Sequence, residues 1–114
     1  MEYRPDTQQM HAKTMKSLQD CAMMCEQMCT LLLEKADVVS RNVQLRLLRD
    51  CADICELCMK YMVRHSMYAK SLCHFCSYVC EACGNECLKH ADHESKMCGQ
   101  MCLECAKDCR NFSM

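Results

Sequence analysis

The sequence has little of the chemistry that turns and strands require. Its 114 residues include two glycines, one proline and no tryptophan, and aromatic residues make up 5% of the chain. Strand boundaries and hairpins depend on glycine, proline and related turn residues, and aromatic rings supply much of an ordinary small core. A fold built on strands is therefore disfavoured, and the composition favours long helices joined by short connections.

The sequence also lacks a charge imbalance and long apolar runs. Fourteen Lys and Arg residues against fifteen Asp and Glu give a net charge of −1, which offers no electrostatic basis for binding nucleic acid or an acidic membrane surface. No apolar segment approaches the roughly 20 residues of a membrane span, and Met1–Lys13 show no secretory signal pattern. We expect a single domain over residues 1–114 that acts in the cytoplasm, without nucleic-acid or membrane partners.

What the chain has in abundance is sulfur, with fifteen cysteines and twelve methionines. Thiols are generally kept reduced in the cytoplasm, so a dense cysteine pattern there indicates metal binding rather than disulfides. The cysteines recur mostly every three or four positions, which places them on one face of a helix. They are Cys21, Cys25, Cys29, Cys51, Cys55, Cys58, Cys73, Cys76, Cys80, Cys83, Cys87, Cys98, Cys102, Cys105 and Cys109.

A short internal repeat divides the chain into four helices. The spacing Cys-x-x-x-Cys-x-x-Cys starts at Cys51, Cys76 and Cys98, and residues 21–29 contain a variant of it. The predicted helices run from about Pro5 to Lys35, from Ser40 to Arg64, from Ser66 to His90 and from Asp92 to Arg110, with Ser40, Ser66 and Asp92 as N-terminal caps. Because short connections make sequential helices antiparallel neighbours, we predict an all-α, antiparallel up-down four-helix bundle with a cysteine-lined core.

The charge of thiolate ligands indicates which metal such a core would hold. A single buried cysteine usually acts as a small hydrophobe, but fifteen of them on four seams would fill a bundle core poorly. Thiolate is the ligating form, and an uncompensated buried charge is costly. Divalent ions in four-thiolate sites leave two negative charges per site, whereas one univalent ion per thiolate leaves none. Soft thiolates and thioethers select Cu(I), so we expect Cu(I) ions that bridge i, i+4 pairs such as Cys21/Cys25, at roughly one per cysteine.

The ladders on four predicted helices resemble those of the bacterial copper storage proteins, in particular their cytosolic branch. The resemblance extends from about Met10 to Cys109. It implies an antiparallel four-helix bundle that stores many Cu(I) ions through its cysteines, all fifteen of which are carried over as ligands, and the association of bundles into a tetramer. The first helix contains less sulfur, because His11, Thr14 and Leu18 continue its seam.

The two ends of the predicted bundle differ in chemistry. One end gathers His11, Met62 and His65, which could act as weaker ligands that pass Cu(I) to the thiolates inside. Methionine is more often a gap filler and a histidine near a helix end can simply favour the helix dipole, so a packing role stays open. The opposite end is expected to be closed by Leu32, Leu33, Leu47 and Leu48, with His90 on the same seam.

No enzyme signature is present, and we expect no catalytic activity. Cys73 and His74 are adjacent, but their side chains would point about 100° apart on a helix. Three other functions stay open: a general thiol-rich buffer for Zn²⁺ or Cd²⁺, a copper-responsive regulatory module, and a bundle held by disulfides. The regulatory module is disfavoured because the chain lacks a basic cluster suited to DNA.

Overall fold

The four predicted helices are confirmed. The computed structural model describes the backbone of residues 5–114 and the side chains of residues 9–114. Helix α1 spans Pro5–Leu33, a 3₁₀ helix spans Val38–Arg41, and helices α2, α3 and α4 span Asn42–Val63, Ala69–Leu88 and His93–Ser113. Residues 5–114 contain no strand. None of their helices is both long and apolar enough to cross a membrane.

Two of the three predicted caps are wrong, because each connection forms a turn of its own before the next helix starts. Ser40 lies inside the 3₁₀ helix, where its hydroxyl donates to the Asp37 carbonyl at 2.7 Å, and α2 begins at Asn42. Ser66 Oγ accepts the Tyr68 N–H at 3.1 Å in the turn that precedes α3. Both serines therefore stabilise the connections rather than the helix ends.

The bundle is antiparallel, as contacts between its helices show. On α1 and α2, His11 contacts the backbone of Met62 and Cys21 contacts Cys51, so residue numbers rise along one helix as they fall along the other. Each helix packs against two neighbours, α1 and α3 both lying between α2 and α4. The bundle measures 54 × 19 × 18 Å. This arrangement brings the cysteine face of all four helices to one central axis.

The only two glycines of the chain lie opposite each other where α3 crosses α4. A Cβ atom added at Gly84 would lie 2.9 Å from the Gly99 carbonyl oxygen, and one added at Gly99 would lie 3.0 Å from the Gly84 carbonyl oxygen. Real Cβ atoms rarely approach backbone oxygens so closely, so only glycine allows this approach. The pair therefore sets the separation of the two helices that contain most of the cysteines.

We predict that Gly84→Ala destabilises the metal-free protein. Alanine favours an isolated helix over glycine by about 1 kcal/mol, but here its methyl group would meet the backbone of α4, and overpacking of this kind costs about 1 to 3 kcal/mol. Denaturant unfolding under reducing conditions measures the difference. As a control, Asn85→Ala on the exposed side of α3 should be neutral or stabilising. A Gly84→Ala protein more stable than the wild type would contradict the steric argument.

The third predicted cap, Asp92, is confirmed. Its Oδ2 accepts the Ser95 N–H at 3.0 Å, and its Oδ1 lies 2.9 Å from Nη1 of the buried Arg41. Burial alone would raise the pKa of this carboxyl, but the hydrogen bond from Ser95 and the pairing with Arg41 outweigh burial and lower the pKa to about 2. Asp92 thus joins the start of α4 to the connection between α1 and α2.

We predict a pH-dependent loss of stability in Asp92→Asn, since asparagine keeps the cap and removes the charge. A folded-state pKa below the unfolded value stabilises the protein above the unfolded pKa, and the contribution is lost as pH falls through the folded pKa. The free energy of unfolding should therefore drop by up to about 2 kcal/mol near pH 7, and the difference from wild type should shrink from about pH 4 towards pH 2. The exposed Asp50→Asn is the control, and an equal difference at both pH values would contradict the prediction.

Candidate metal centre

The cysteines form a column of sulfur along the bundle axis. All of them are free thiols, and all except Cys29 are buried. The fourteen buried cysteines are each at most 1% exposed, and they occupy the inward face that leucine would ordinarily fill in a bundle. The predicted cysteine-lined core is therefore confirmed.

The closest sulfur contacts mostly join different helices. Sγ of Cys25 lies 3.6 Å from that of Cys102, and Sγ of Cys55 lies 3.6 Å from that of Cys80. Cys76 and Cys80, which are four residues apart on α3, are 3.7 Å apart. The sequence repeat predicts pairs within a helix, and the cross-helix pairs depend on the register between helices.

Two groups of four thiols are close enough to share a metal ion. Within each group, all sulfur atoms lie within 4.8 Å of one another. One group is Cys21, Cys55, Cys80 and Cys105, and the other is Cys21, Cys25, Cys51 and Cys102. Two sulfurs on one ion can be separated by up to about twice a metal–sulfur bond of ~2.3 Å, so these distances suit shared coordination. Since Cys21 belongs to both groups, adjacent sites would share a sulfur atom.

The pKa values of the column thiols are shifted in both directions: contacts with the thiols of Cys73 and Cys76 lower the pKa of Cys58 to about 5, whereas other thiols are held protonated. Contacts with the thiols of Cys105, Cys21 and other neighbours, together with burial, raise the pKa of Cys55. At the edge of the column, burial and then the charge of Glu26 raise the pKa of Cys29 to about 11. An ion that binds these sulfurs as thiolates must therefore displace protons.

The protein supplies almost no positive charge to balance thiolates. Among the described side chains, Arg41 is the one buried basic group, and it already pairs with Asp37 at 2.9 Å and with Asp92. The buried Asp108 adds a further carboxyl group on α4, next to Thr14 of α1. The backbone carbonyl of Asp108 accepts a hydrogen bond from the Thr14 hydroxyl at 3.3 Å. Counter-charge for ionised sulfur must therefore come from bound metal.

The structure brings the three predicted mouth residues together. The rings of His11 and His65 are stacked with centroids 5.6 Å apart, and Phe112 packs edge-on against His11 at 5.9 Å. Met62 is 1% exposed beneath them. His65 has a positive φ of 52° in the turn after α2, a conformation uncommon for a residue with a side chain. The two imidazoles thus lie at the end of the sulfur column.

The hydrogen bond of His11 defines which of its nitrogens is free. Its Nε2 lies 3.3 Å from the Met62 carbonyl oxygen. A carbonyl oxygen can only accept, so Nε2 carries a hydrogen, and the lone pair of the neutral ring is then on Nδ1. This arrangement, in which one ring nitrogen is fixed by a carbonyl, is the usual one for histidines that bind metals.

The opposite end differs from the predicted leucine closure. Leu32 and Leu48 are fully buried as expected, but Leu33 is 65% exposed and Leu47 is only partly buried. Leu33 follows Leu32 directly on α1, so a helix turns it about 100° away from the core. His90, predicted on the same seam, lies beyond the end of α3 at Leu88, and its Nε2 is 3.3 Å from Glu86 Oε2.

Sequence reasoning missed a buried polar cluster at this end, made of Arg41, Gln44 and Ser95. Gln44 is four residues before Leu48 and seven before Cys51, so it continues the seam of α2. That spacing was a usable signal, since a polar residue at a seam position must find hydrogen-bond partners inside the bundle.

Fold and site together define a class: a helical bundle whose core is a continuous set of buried thiols suited to soft metal ions. The family profile described as copper storage protein matches residues 7–114. The chain belongs to the copper storage protein family. A relative described as the uncharacterized cysteine-rich protein YhjQ of Bacillus subtilis strain 168 is 35% identical over 94 residues, which cover 82% of this chain and 87% of the relative.

Two similar solved structures support the same assignment. The Cu(I)-bound copper storage protein BsCsp3 is 34% identical, with a TM-score of 0.88 over 92% of this chain and 99% of that one. A cytosolic copper storage protein from Streptomyces lividans with five coppers is 25% identical, with a TM-score of 0.91 over 96% of this chain and 97% of that one. The predicted resemblance and fold class are confirmed.

Proposed function

We propose that the protein stores Cu(I) by binding many ions through the thiolates of its core. The observation that carries this proposal is the buried sulfur column, for which residues 9–114 provide no buried basic side chain other than the already paired Arg41. The seven cysteines of the two four-sulfur groups illustrate the constraint. Seven thiolates with one divalent ion per group would retain three negative charges, whereas seven univalent ions would leave none, and buried net charge is costly.

The fifteen cysteines are the proposed ligands, with a capacity of roughly one Cu(I) per cysteine by charge balance. The short cross-helix distances support ions that are shared between helices, in addition to the pairs within each helix. Cys29 would bind at the edge of the column, because it is the one cysteine that is only partly buried. The similarity to a Cu(I)-bound storage protein supports the choice of metal.

Anaerobic titration of the fully reduced protein with Cu(I) tests this function. We expect binding to continue far beyond one ion per chain and to approach about fifteen, with about one proton released per ion because thiols become thiolates. Copper and free thiols are quantified on the same sample, which also detects disulfides. Saturation at one or two ions per chain would refute storage.

A thiol buffer for Zn²⁺ or Cd²⁺ is the second candidate, because the four-sulfur groups also match the tetrahedral coordination that Zn²⁺ prefers. The two functions differ in which metal stays bound when Cu(I) and Zn²⁺ compete for the thiols. Under the storage proposal, Cu(I) added to the zinc-loaded protein should displace Zn²⁺ and exceed it in number. Retention of Zn²⁺ against stoichiometric Cu(I) would favour the buffer.

We also propose that copper passes through the mouth formed by His11, Met62 and His65. Two stacked imidazoles lie at this end, and one of them contacts the backbone of Met62, whose side chain is buried, so an arriving ion would meet successively softer ligands. Because these residues are not part of the thiol column, they should affect the rate of uptake more than its extent.

The combined variant His11→Ala, Met62→Leu and His65→Asn tests the mouth. Asparagine tolerates the positive φ of position 65, and leucine nearly conserves the volume of methionine. We expect copper uptake from a chelated Cu(I) donor to slow by about tenfold, equivalent to about 1.4 kcal/mol in the barrier, with capacity unchanged.

A matched control removes two histidines and alters one methionine elsewhere on the surface. It combines three substitutions at exposed positions of α3 and α4, namely His74→Ala, His93→Ala and Met97→Leu. Stopped-flow mixing should give wild-type uptake for this control. Equal uptake rates for the mouth variant and the control would show that ions reach the column by another route.

Three further properties belong to the proposal. We expect the protein to act in the cytoplasm, where thiols stay reduced, as a similar protein from Streptomyces lividans is described as cytosolic. We expect a homotetramer, in keeping with the resemblance drawn from the sequence, and exposed apolar side chains such as Leu57 and Phe75 on α2 and α3 are available for contact. We expect no catalytic turnover.

A further inference from the structure

The polar cluster at the end of the column away from His11 is buried where a bundle would place apolar side chains. Gln44 and Ser95 are 0% exposed and Arg41 is 6% exposed. A buried amide or guanidinium destabilises a core unless its hydrogen-bonding groups have partners. The partners here include one sulfur atom of the column.

Arg41 fixes the orientation of the Gln44 amide. Arg41 Nη1 lies 3.0 Å from Gln44 Oε1, and a guanidinium can only donate hydrogen bonds. The atom facing Arg41 must therefore be the amide oxygen. The NH₂ group then faces Ser95 Oγ at 2.9 Å and Cys87 Sγ at 3.5 Å.

The orientation of the Gln44 amide determines which role the sulfur of Cys87 takes in their hydrogen bond. Because Gln44 donates, the sulfur of Cys87 accepts with an electron pair that is directed at the amide. Its thiol hydrogen is not needed for this contact, and acceptance strengthens when the sulfur is a thiolate. The same hydrogen bond that holds the side chain in place is therefore compatible with a metal bound on the other side of the sulfur.

Arg41 is itself held from several directions. Its Nε lies 2.9 Å from Asp37 Oδ2, and its Nη1 lies 2.9 Å from Asp92 Oδ1 and 3.3 Å from Ser95 Oγ. The group that orients Gln44 is thus anchored both to the connection between α1 and α2 and to the start of α4. Partners of metal ligands that are held in this way typically affect metal affinity by 10- to 100-fold.

We propose that Gln44, oriented by Arg41, is a positioning residue that holds Cys87 as a Cu(I) ligand and retains the ions at this end of the column. The inference rests on the proposed storage function. It assigns the two ends different tasks: His11 and His65 exchange ions at one end, and Gln44 holds them at the other.

Gln44→Glu tests the inference with little change in shape. The carboxylate keeps the length of glutamine and its partner Arg41 but cannot donate to Cys87. The unfolding temperature of the metal-free variant is measured as well, because the added charge is buried. We expect the slowest phase of copper release from the fully loaded protein to bathocuproine disulfonate to become about tenfold faster. Gln44→Leu, which removes the donor without adding a charge or a thioether ligand, should show the same acceleration.

Two controls separate positioning from a general effect. Gln100→Glu adds the same charge at an exposed site on α4 and should release copper as the wild type does. In a Cys87→Ser background, Gln44→Glu should add no further acceleration, because its effect acts through that sulfur.

The possible outcomes are distinct. If Gln44→Glu and Gln44→Leu release copper like Gln100→Glu, or if their effect persists without Cys87, the inference is wrong while storage stands. If the wild-type protein holds only one or two ions, storage fails and the inference fails with it. A lower unfolding temperature of both variants, with acceleration in proportion to that loss, would show a structural role only.

Discussion

The structure depends on one constraint, the balance of charge inside a column of thiols. Fourteen cysteines are buried along the bundle axis, and the one buried basic side chain of the described residues is already paired with carboxylates. Without metal, thiols such as Cys55 keep their protons, as the raised pKa of that thiol reflects. With metal, each thiolate needs one positive charge nearby. A univalent soft ion meets that need, and this explains why the column can be long and continuous rather than divided into isolated sites.

Packing and coordination are linked by the same helix geometry. Gly84 and Gly99 let α3 and α4 approach so closely that a Cβ atom at either position would lie within 3.0 Å of the opposing carbonyl oxygen. Cys83 and Cys102, which lie near this crossing, have sulfurs 3.9 Å apart. The two glycines at the α3–α4 contact thus determine the distances between cysteine ligands on these helices. The chain has no other glycine, and the helices are correspondingly long.

The two ends of the column differ in the side chains that surround the sulfur atoms. At one end, His11 donates to a backbone carbonyl and keeps one nitrogen free near the surface. At the other end, Arg41 and Gln44 turn an amide towards Cys87 inside the core. The first arrangement leaves a ligand accessible, and the second fixes a ligand in place. The sites proposed for exchange and for retention of copper are thereby separated by most of the length of the bundle.

The sequence by itself determined the helices, the antiparallel bundle and the cysteine face, because a three- and four-residue spacing has one interpretation on a helix and the connections are short. It also identified His11, Met62 and His65, since each continues a seam. Only the tertiary structure decided which sulfurs meet across helices, why Leu33 faces solvent and why Gln44 reaches Cys87. These features depend on the register and rotation of one helix against another, and both are set by packing between residues distant in the chain, such as Gly84 and Gly99.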